Sequence, residues 1–212
     1  MKRPALMMIA ALSLWPHAAL ADGDVAARHL RYVAVARVDG VPTPVTIDLT
    51  IGLTQAQGVA RVDIDEHARD EEFGHEDVAI DREGTVSGAD AGLTFEEETL
   101  LDLIALQFEN MTGVDPGDHW DRTGDLRLGS HETHFLVRGR ADGGIVDLVI
   151  ARTMEFPDGS RGAWHGNVSY DSAAVVPRSI AITGEVVDKN SDARRPLQLS
   201  ARLVGDSFQP PR

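Results

Sequence analysis

The most frequent pattern along this chain is an alternation of apolar and polar residues with a period of two. In segment 45–53 every second residue is valine, leucine or isoleucine, and the residues between them are mostly threonine and aspartate. A β-strand with one buried face shows this alternation, because successive side chains point to opposite faces of the sheet. An earlier apolar segment ends at Asp39-Gly40, so residues 30–53 are predicted to form a hairpin. Pro42 and Pro44 cannot donate to a strand ladder and therefore predict a turn or a sheet edge.

The same alternation continues on both sides of the middle of the chain. Further strands are predicted at 60–65, 78–80, 119–129, 132–140, 145–155, 161–170, 179–187 and 197–204. Asp142-Gly143-Gly144 and Pro157-Asp158-Gly159 separate some of them with residues typical of hairpin turns. The pattern predicts about ten strands that pair mainly with their neighbours in the chain.

One segment shows the helical period instead. Thr94 and Glu97 have the spacing of a capping box, and apolar residues follow at intervals of three and four residues as far as Met111. Gly113, with a proline three residues further on, is typical of a helix end. A helix is therefore predicted over about 95–111, packed against the sheet.

These elements predict a mainly β (α+β) fold in a single domain, residues 22–212. The expected architecture is a strongly curved antiparallel sheet or partial barrel of about ten strands, with the helix on its concave face. A two-sheet β-sandwich is the alternative that the same hairpins allow. The layers of the first architecture are similar to those of periplasmic lipoprotein carriers, a likeness of architecture without a shared motif.

The N-terminal segment has a pattern of its own. Two basic residues precede an almost wholly apolar run from Ala5 to Leu14, and Ala19-Leu20-Ala21 supplies an A-x-A cleavage sequence. The run is shorter than the ~20 apolar residues that span a bilayer. Residues 1–21 are therefore predicted to be a secretory signal peptide cleaved after Ala21. The mature protein is expected to be periplasmic or secreted, without stable membrane insertion.

The composition narrows the range of partners. The formal net charge is −14, and it becomes more negative when the basic signal segment is removed. Such an excess argues against binding to nucleic acid or to an anionic membrane surface, and it suits a basic protein partner. The chain has no cysteine, so disulfides, thiol nucleophiles and thiolate metal ligands are excluded. No motif indicates a cofactor.

Carboxylates are most dense in segment 63–77, which is expected to be a solvated loop. Oxygen ligands suit Ca²⁺, and carboxylates combined with imidazoles suit a transition metal. Asp63, Asp65, His67 and His75 are the candidate ligands, although the EF-hand spacing is absent. This segment supports an alternative function, an interaction or scaffolding module that meets a cation or a basic partner.

Catalytic signatures are weak, and no residue is assigned a catalytic role. His131 and His134 are three residues apart in a predicted strand, whereas the zinc-protease motif needs a spacing of four on a helix. In a strand these two side chains point to opposite faces. Asp118 and His119 are the best acid–base candidates, but they also suit a turn that leads into a strand. An enzyme is the least favoured of the three functions considered.

The apolar side of the predicted helix offers a different kind of site. A gap between the helix and a curved sheet would hold an acyl chain or another apolar molecule. The residues expected to line it are Leu100, Leu103, Ile104, Phe108, Trp120 and Trp164. The same residues suit a dry core, and the sequence does not distinguish a filled core from a hollow one. The favoured function is a non-enzymatic exported protein of the cell envelope that binds an apolar ligand between helix and sheet.

Overall fold

The structure, a computed structural model, describes residues 27–54, 59–68, 71–81, 85–88, 93–108, 111–126 and 129–207. The predicted signal peptide lies outside these residues. The strands are β1 (Ala27–Val38), β2 (Val41–Thr54), β3 (Val59–Ala68), β4 (Glu71–Ile80), β5 (Val86–Ser87), β6 (His119–Leu126), β7 (Gly129–Ala141), β8 (Ile145–Glu155), β9 (Arg161–Asp171), β10 (Val176–Val187) and β11 (Arg194–Asp206). Helix α1 spans Phe95–Ile104 and continues as 3₁₀ turns at Ala105–Phe108 and Met111–Gly113.

All the strands that the structure describes belong to one antiparallel sheet with the order β5-β4-β3-β2-β1-β11-β10-β9-β8-β7-β6. The first and last strands, β1 and β11, are neighbours in the middle, so the sheet consists of two series of consecutive hairpins that join there. β5 and β6 are the two edges, and they do not pair with each other. The predicted antiparallel sheet with one helix is confirmed. The sandwich alternative is wrong, because one sheet contains every strand in the described part of the chain.

The first hairpin is present with a tighter turn than the prolines suggest. Asp39 and Gly40 have φ angles of 54° and 80°, the positive values that a two-residue turn between twisted strands requires. Pro42 and Pro44 lie within β2 rather than in the turn. β3 pairs with β2 only from Thr46 onward, so the prolines occupy a part of β2 that has one neighbour. They therefore lie at a local sheet edge, where a missing N–H is tolerated.

The helix begins where the sequence predicts and ends earlier. The Thr94 side-chain oxygen accepts a hydrogen bond from the Glu97 amide at 3.2 Å, and the Glu97 carboxylate accepts one from the Thr94 amide at 2.7 Å. The α-helix ends at Ile104, and 3₁₀ turns replace its predicted last part. Residues three apart share a face in both helix types, so apolar spacing alone does not separate them.

The described residues of the acidic segment 63–77 belong to the paired strands β3 and β4, and the prediction of a solvated loop is wrong there. The alternation of apolar and polar residues is not visible in this part of the sequence, because glutamates occupy inward positions. Glu66 and Glu76 point to the inner face of the sheet and are 5% and 4% exposed, respectively. Asp63 and Asp65 lie on the outer face.

The core lies between α1 and the inner face of the sheet. Glu97 to Ile104 are all buried, so the helix is covered on every side rather than along one stripe. Tyr32, Ile47, Ile64 and Tyr170 are among the fully buried side chains that the strands contribute. Within the described ranges, no helix is long and apolar enough to cross a membrane.

Candidate functional site: a small cavity beside a buried ionic cluster

Helix α1 carries two buried carboxylates, Glu98 and Asp102, which are one helical turn apart. They are 3% and 6% exposed. Residues four apart in a helix lie on the same face, so both carboxylates belong to the same side of α1. The groups that surround them differ.

Asp102 is held between two arginines from the sheet. Its Oδ1 accepts from Nη1 of Arg122 on β6 at 3.3 Å, and its Oδ2 accepts from Nη2 of Arg152 on β8. Arg122 also donates to the backbone carbonyl of Asp102 at 3.0 Å, while Nε of Arg152 donates to Thr133 at 2.8 Å. Burial alone would raise the pKa of Asp102, but Arg152, Arg122 and His131 together lower it below its usual value. These contacts fasten the helix to β6, β7 and β8.

Aromatic rings also hold the two arginines. The guanidinium carbon of Arg122 lies 5.9 Å from the ring centre of Phe135, and that of Arg152 lies 5.9 Å from the ring centre of Trp164. A cation over an aromatic face is attracted by the electron density of the ring. Trp120 stacks on Phe135 with a centroid separation of 5.2 Å. Trp164 connects the ionic cluster to a neighbouring cavity, because its ring lines that cavity as well.

The cavity lies between the N-terminal part of α1 and strands β8 to β11, and its volume is about 170 Å³. Its lining consists of Phe95, Glu98, Met154, Phe156, Trp164, Val186, Arg195 and Leu197. Six of these eight residues are apolar. Pockets for drug-sized ligands measure roughly 300–1,000 Å³, whereas an engineered apolar cavity of roughly 150 Å³ binds benzene. The cavity therefore has the size of a single ring or of a short piece of an alkyl chain.

Two glycines make room for the tryptophan in the cavity wall. A Cβ atom on Gly162 would lie 2.5 Å from Cζ3 of Trp164, and one on Gly184 would lie 2.4 Å from Cβ of Trp164. Any larger residue at Gly162 would force the indole to move, whereas at Gly184 it would also meet the backbone oxygen of Ala163 at 2.3 Å. Phe95 then meets Trp164 edge-on, with ring centres 5.2 Å apart and planes at 89°. The wall of the cavity is thus an aromatic pair in a favourable geometry.

Glu98 is one of the two polar residues in the cavity wall. Within the described part of the chain, its Oε1 atom has no hydrogen-bond partner. Burial raises the pKa of Glu98 to about 7; Arg152 opposes this effect, whereas Asp102 and Glu97 add to it. Near neutral pH the carboxyl group is therefore present in both protonated and ionised forms. Arg195 lines the same cavity with an exposed side chain and marks the side on which the cavity meets solvent.

The structure distributes the predicted pocket residues over the core. Trp164 lines the cavity, while Leu100, Leu103 and Ile104 are packed in the core at 0–1% exposure. Phe108 and Trp120 are partly buried beyond the C-terminal end of the helix.

Most of the lining is not predicted from the sequence. The sequence pattern does not bring these residues together, because they come from α1, from three strands and from the turn after β8: Phe95, Met154, Phe156, Val186 and Leu197. One signal is present for Glu98, because the helical period that places Asp102 on the sheet-facing side also places Glu98 there.

The predicted metal ligands lie on the outer face of the β3–β4 hairpin or near it. Nδ1 of His75 is 2.8 Å from Oδ1 of Asp65, the residue opposite it in the ladder. Asp63 and His67 lie on β3, on the same face as Asp65. Among the residues that the structure describes, no three histidine or carboxylate side chains are grouped so that they could hold a metal ion. The cation site and the interaction function based on it stay predictions.

The weak catalytic candidates are separated by the sheet. His131 is buried on the inner face, and His134 is exposed on the outer face, where its Nδ1 lies 2.5 Å from Oδ1 of Asp121. The prediction that these two histidines point to opposite faces is confirmed. Asp118 accepts a hydrogen bond from the Asp115 amide at 2.7 Å and so closes a turn, and His119 is exposed after it.

Comparisons with known proteins leave the site to be interpreted from its own geometry. No family model, no curated protein and no solved structure matches this chain.

Proposed function

We propose that this protein is an exported, non-enzymatic binding protein that holds a small apolar group in the cavity between α1 and strands β8 to β11. The observation that carries the proposal is the cavity itself, with six apolar residues among the eight that line it. The proposed ligand is a compact ring or the end of a short chain, because the volume of about 170 Å³ does not accommodate a whole acyl chain.

The energetics of cavities support a role for this space. The cavity meets solvent on the side of Arg195, so an apolar ligand that covers its lining gains roughly 25 cal/mol for each Å² of apolar surface removed from water. A ligand that fills the cavity regains dispersion contacts with the surrounding atoms. The aromatic pair Phe95 and Trp164 offers a ring both a face and an edge to contact.

The proposal of export comes from the predicted signal peptide and suits the rest of the chain. A cysteine-free protein keeps the same covalent structure in an oxidising compartment and in a reducing one. A small-molecule carrier needs no acid–base pair, and His131 and His134 lie on opposite faces of the sheet.

The experiment is a titration of toluene into the purified protein, followed by isothermal titration calorimetry and by amide NMR shifts. The matched variants are Val186→Trp and Val187→Trp. Val186 lines the cavity, whereas Val187, the next residue, lines a separate open groove. We expect saturable binding that Val186→Trp abolishes and Val187→Trp preserves, with the largest shifts around α1 and β9. Absence of binding, or equal loss in both variants, would contradict the proposal.

A further inference from the structure

A charged residue lies where the cavity meets solvent. Every second residue in the first part of β11 points to the inner face of the sheet: Arg195, Leu197, Leu199 and Ala201. The last three are buried, whereas Arg195 is exposed. Arg195 lies opposite Val186 of β10 in the ladder, and both residues line the cavity. The inner row of β11 therefore begins with a cation at the mouth of the cavity and continues with apolar side chains.

The contacts of Arg195 differ from those of the arginine beside it. Arg194 points to the outer face, where its Nη1 donates to Oε1 of Glu185 at 2.6 Å. Within the described part of the chain, Arg195 forms no hydrogen bond or ion pair. Its charge acts on the carboxylate of Asp188, but Oδ1 of Asp188 already accepts hydrogen bonds from two amides of its own loop, at 2.8 and 2.9 Å. The donors of Arg195 are therefore open to a group that arrives from solvent.

A guanidinium group at the mouth favours an anionic group on the ligand. Its planar fork of N–H donors matches the two oxygens of a carboxylate. Because Arg195 is exposed, a carboxylate that meets it there keeps part of its hydration and avoids the large cost of burying a charge. The other end of the same ligand enters a space where six of the eight lining residues are apolar, and it needs no polar partner there.

The other charges near the cavity limit this anion to a single charge. Glu98 lines the cavity as well, and it is partly ionised at neutral pH because its pKa is about 7. Asp188 adds a negative charge on the side of Arg195, while the buried Arg152 opposes the charge of Glu98. A dianion, such as a phosphate monoester, would be repelled more strongly by these carboxylates than a monocarboxylate.

We propose that the ligand of this cavity is an amphiphilic monocarboxylate, whose compact apolar end packs against Phe95 and Trp164 and whose carboxylate pairs with Arg195 at the mouth. This inference rests on the proposed function, since it assigns the charged end of the same ligand. It makes Arg195 the residue that determines specificity, while the apolar lining supplies affinity for the other end.

The test compares benzoate with benzamide, which have nearly the same shape and differ in charge, and uses toluene as the reference for the apolar end alone. Dissociation constants are measured by amide NMR titration at pH 7 for the wild type, Arg195→Gln and Arg194→Gln. We expect the wild type to bind benzoate at least about threefold more tightly than benzamide, in line with one exposed charge pair. Arg195→Gln should abolish this preference and leave toluene binding unchanged. Arg194→Gln changes the net charge by the same amount and should keep the preference.

The outcomes separate the two proposals. Benzamide binding as tightly as benzoate in the wild type, an unchanged ratio in Arg195→Gln, or an equal loss in both variants overturns the inference. If toluene still binds, the proposed function stands. Absence of binding by all three compounds overturns both. If Arg195→Gln does not fold, the ¹⁵Nε resonance of Arg195 in the wild type takes its place. Benzoate at saturation should shift this resonance further than benzamide does, and equal shifts overturn the inference.

Discussion

Glu98 and Asp102 are two buried carboxylates on the same face of one helix, and the protein treats them in opposite ways. Asp102 accepts hydrogen bonds from two arginines, and its pKa is lowered although it is buried. The charge of Arg152 also acts on Glu98, but burial outweighs it and the pKa of Glu98 rises to about 7. Within the described part of the chain, the Oε1 atom of Glu98 has no hydrogen-bond partner. The difference teaches that burial does not decide the charge of a carboxyl group; the number of donors that reach it does.

The two surroundings also suit different tasks. A buried charge whose two oxygens both accept hydrogen bonds fixes the position of α1 on the sheet, because any other position would separate Asp102 from Arg122 and Arg152. A buried carboxyl group with an unpartnered oxygen leaves part of its desolvation cost uncompensated. Asp102 is therefore assigned to anchoring the helix, whereas Glu98 titrates near neutral pH beside the cavity, a division that substitutions at and around the two carboxylates can test.

The largest effect is expected from Asp102→Asn. The substitution removes the charge that compensates Arg122 and Arg152, which are 8% and 4% exposed. Breaking a buried ion pair costs about 3–5 kcal/mol, because uncompensated charge stays in the core. Urea denaturation at pH 7 measures the loss. Asp121→Asn is the control, since Asp121 pairs with His134 on the surface, and it should change stability by at most about 1 kcal/mol. Equal losses of stability in the two variants would contradict the assignment of Asp102 to anchoring the helix.

The second effect is a pH dependence carried by Glu98. Its pKa rises from 4.5 in the unfolded chain to about 7 in the folded protein. Its contribution to stability is therefore complete below pH 4.5 and is lost as the pH rises through 7. Each pKa unit corresponds to about 1.4 kcal/mol, so Glu98→Gln should be more stable than the wild type by about 3 kcal/mol at pH 8.

Denaturation curves of wild type and Glu98→Gln between pH 4.5 and 8 measure this difference. Glu66, Glu96 and Glu97 also have raised pKa values, and because both proteins contain them their effect cancels. The lowered pKa of Asp102 acts at lower pH and in the opposite direction. Curves that stay parallel over the whole range would show that Glu98 does not titrate in the folded protein near neutral pH.

A third experiment disturbs the cavity wall without touching either carboxylate. In Gly162→Ala the new methyl group would lie 2.5 Å from the Trp164 ring and would displace it. Overpacking of this kind costs about 1–3 kcal/mol, and toluene binding should weaken together with stability. Gly139→Ala is the matched control, because its nearest neighbour would be 3.9 Å away. Unchanged toluene affinity in Gly162→Ala would show that Trp164 is not part of the binding site.

The smallest effect is expected from Thr94→Ala at the start of the helix. Loss of the N-cap hydroxyl costs about 1 kcal/mol and also removes a 2.8 Å hydrogen bond to Glu66. Thr94→Ser, which keeps the hydroxyl, should show most of the wild-type stability in the same denaturation assay. Because burial raises the pKa of Glu98 and Thr94 does not contribute to it, an NMR titration of Glu98 should still give a pKa near 7 in Thr94→Ala. A return to an ordinary value would mean that the cap, rather than burial, sets the state of Glu98.

Much of the fold could be predicted from the sequence, because it depends on local pattern. The strands from β6 to β11 follow alternating segments, and Gly143 and Gly159 take the positive φ angles that their turns require. The capping box fixed the helix start through contacts three residues apart. Prediction failed in segment 63–77, where Glu66 and Glu76 occupy inward positions that an apolar residue usually takes.

The candidate site depends on contacts that no local pattern contains. The sequence by itself determined that Glu98 and Asp102 share a helix face, because four residues complete about one turn. Only the tertiary structure decided which of them meets arginine, since Arg122 and Arg152 lie 20 and 50 residues beyond Asp102. The cavity has the same origin: it is the space left where side chains from α1 and four strands do not fill the volume between them, and its size depends on how distant elements pack.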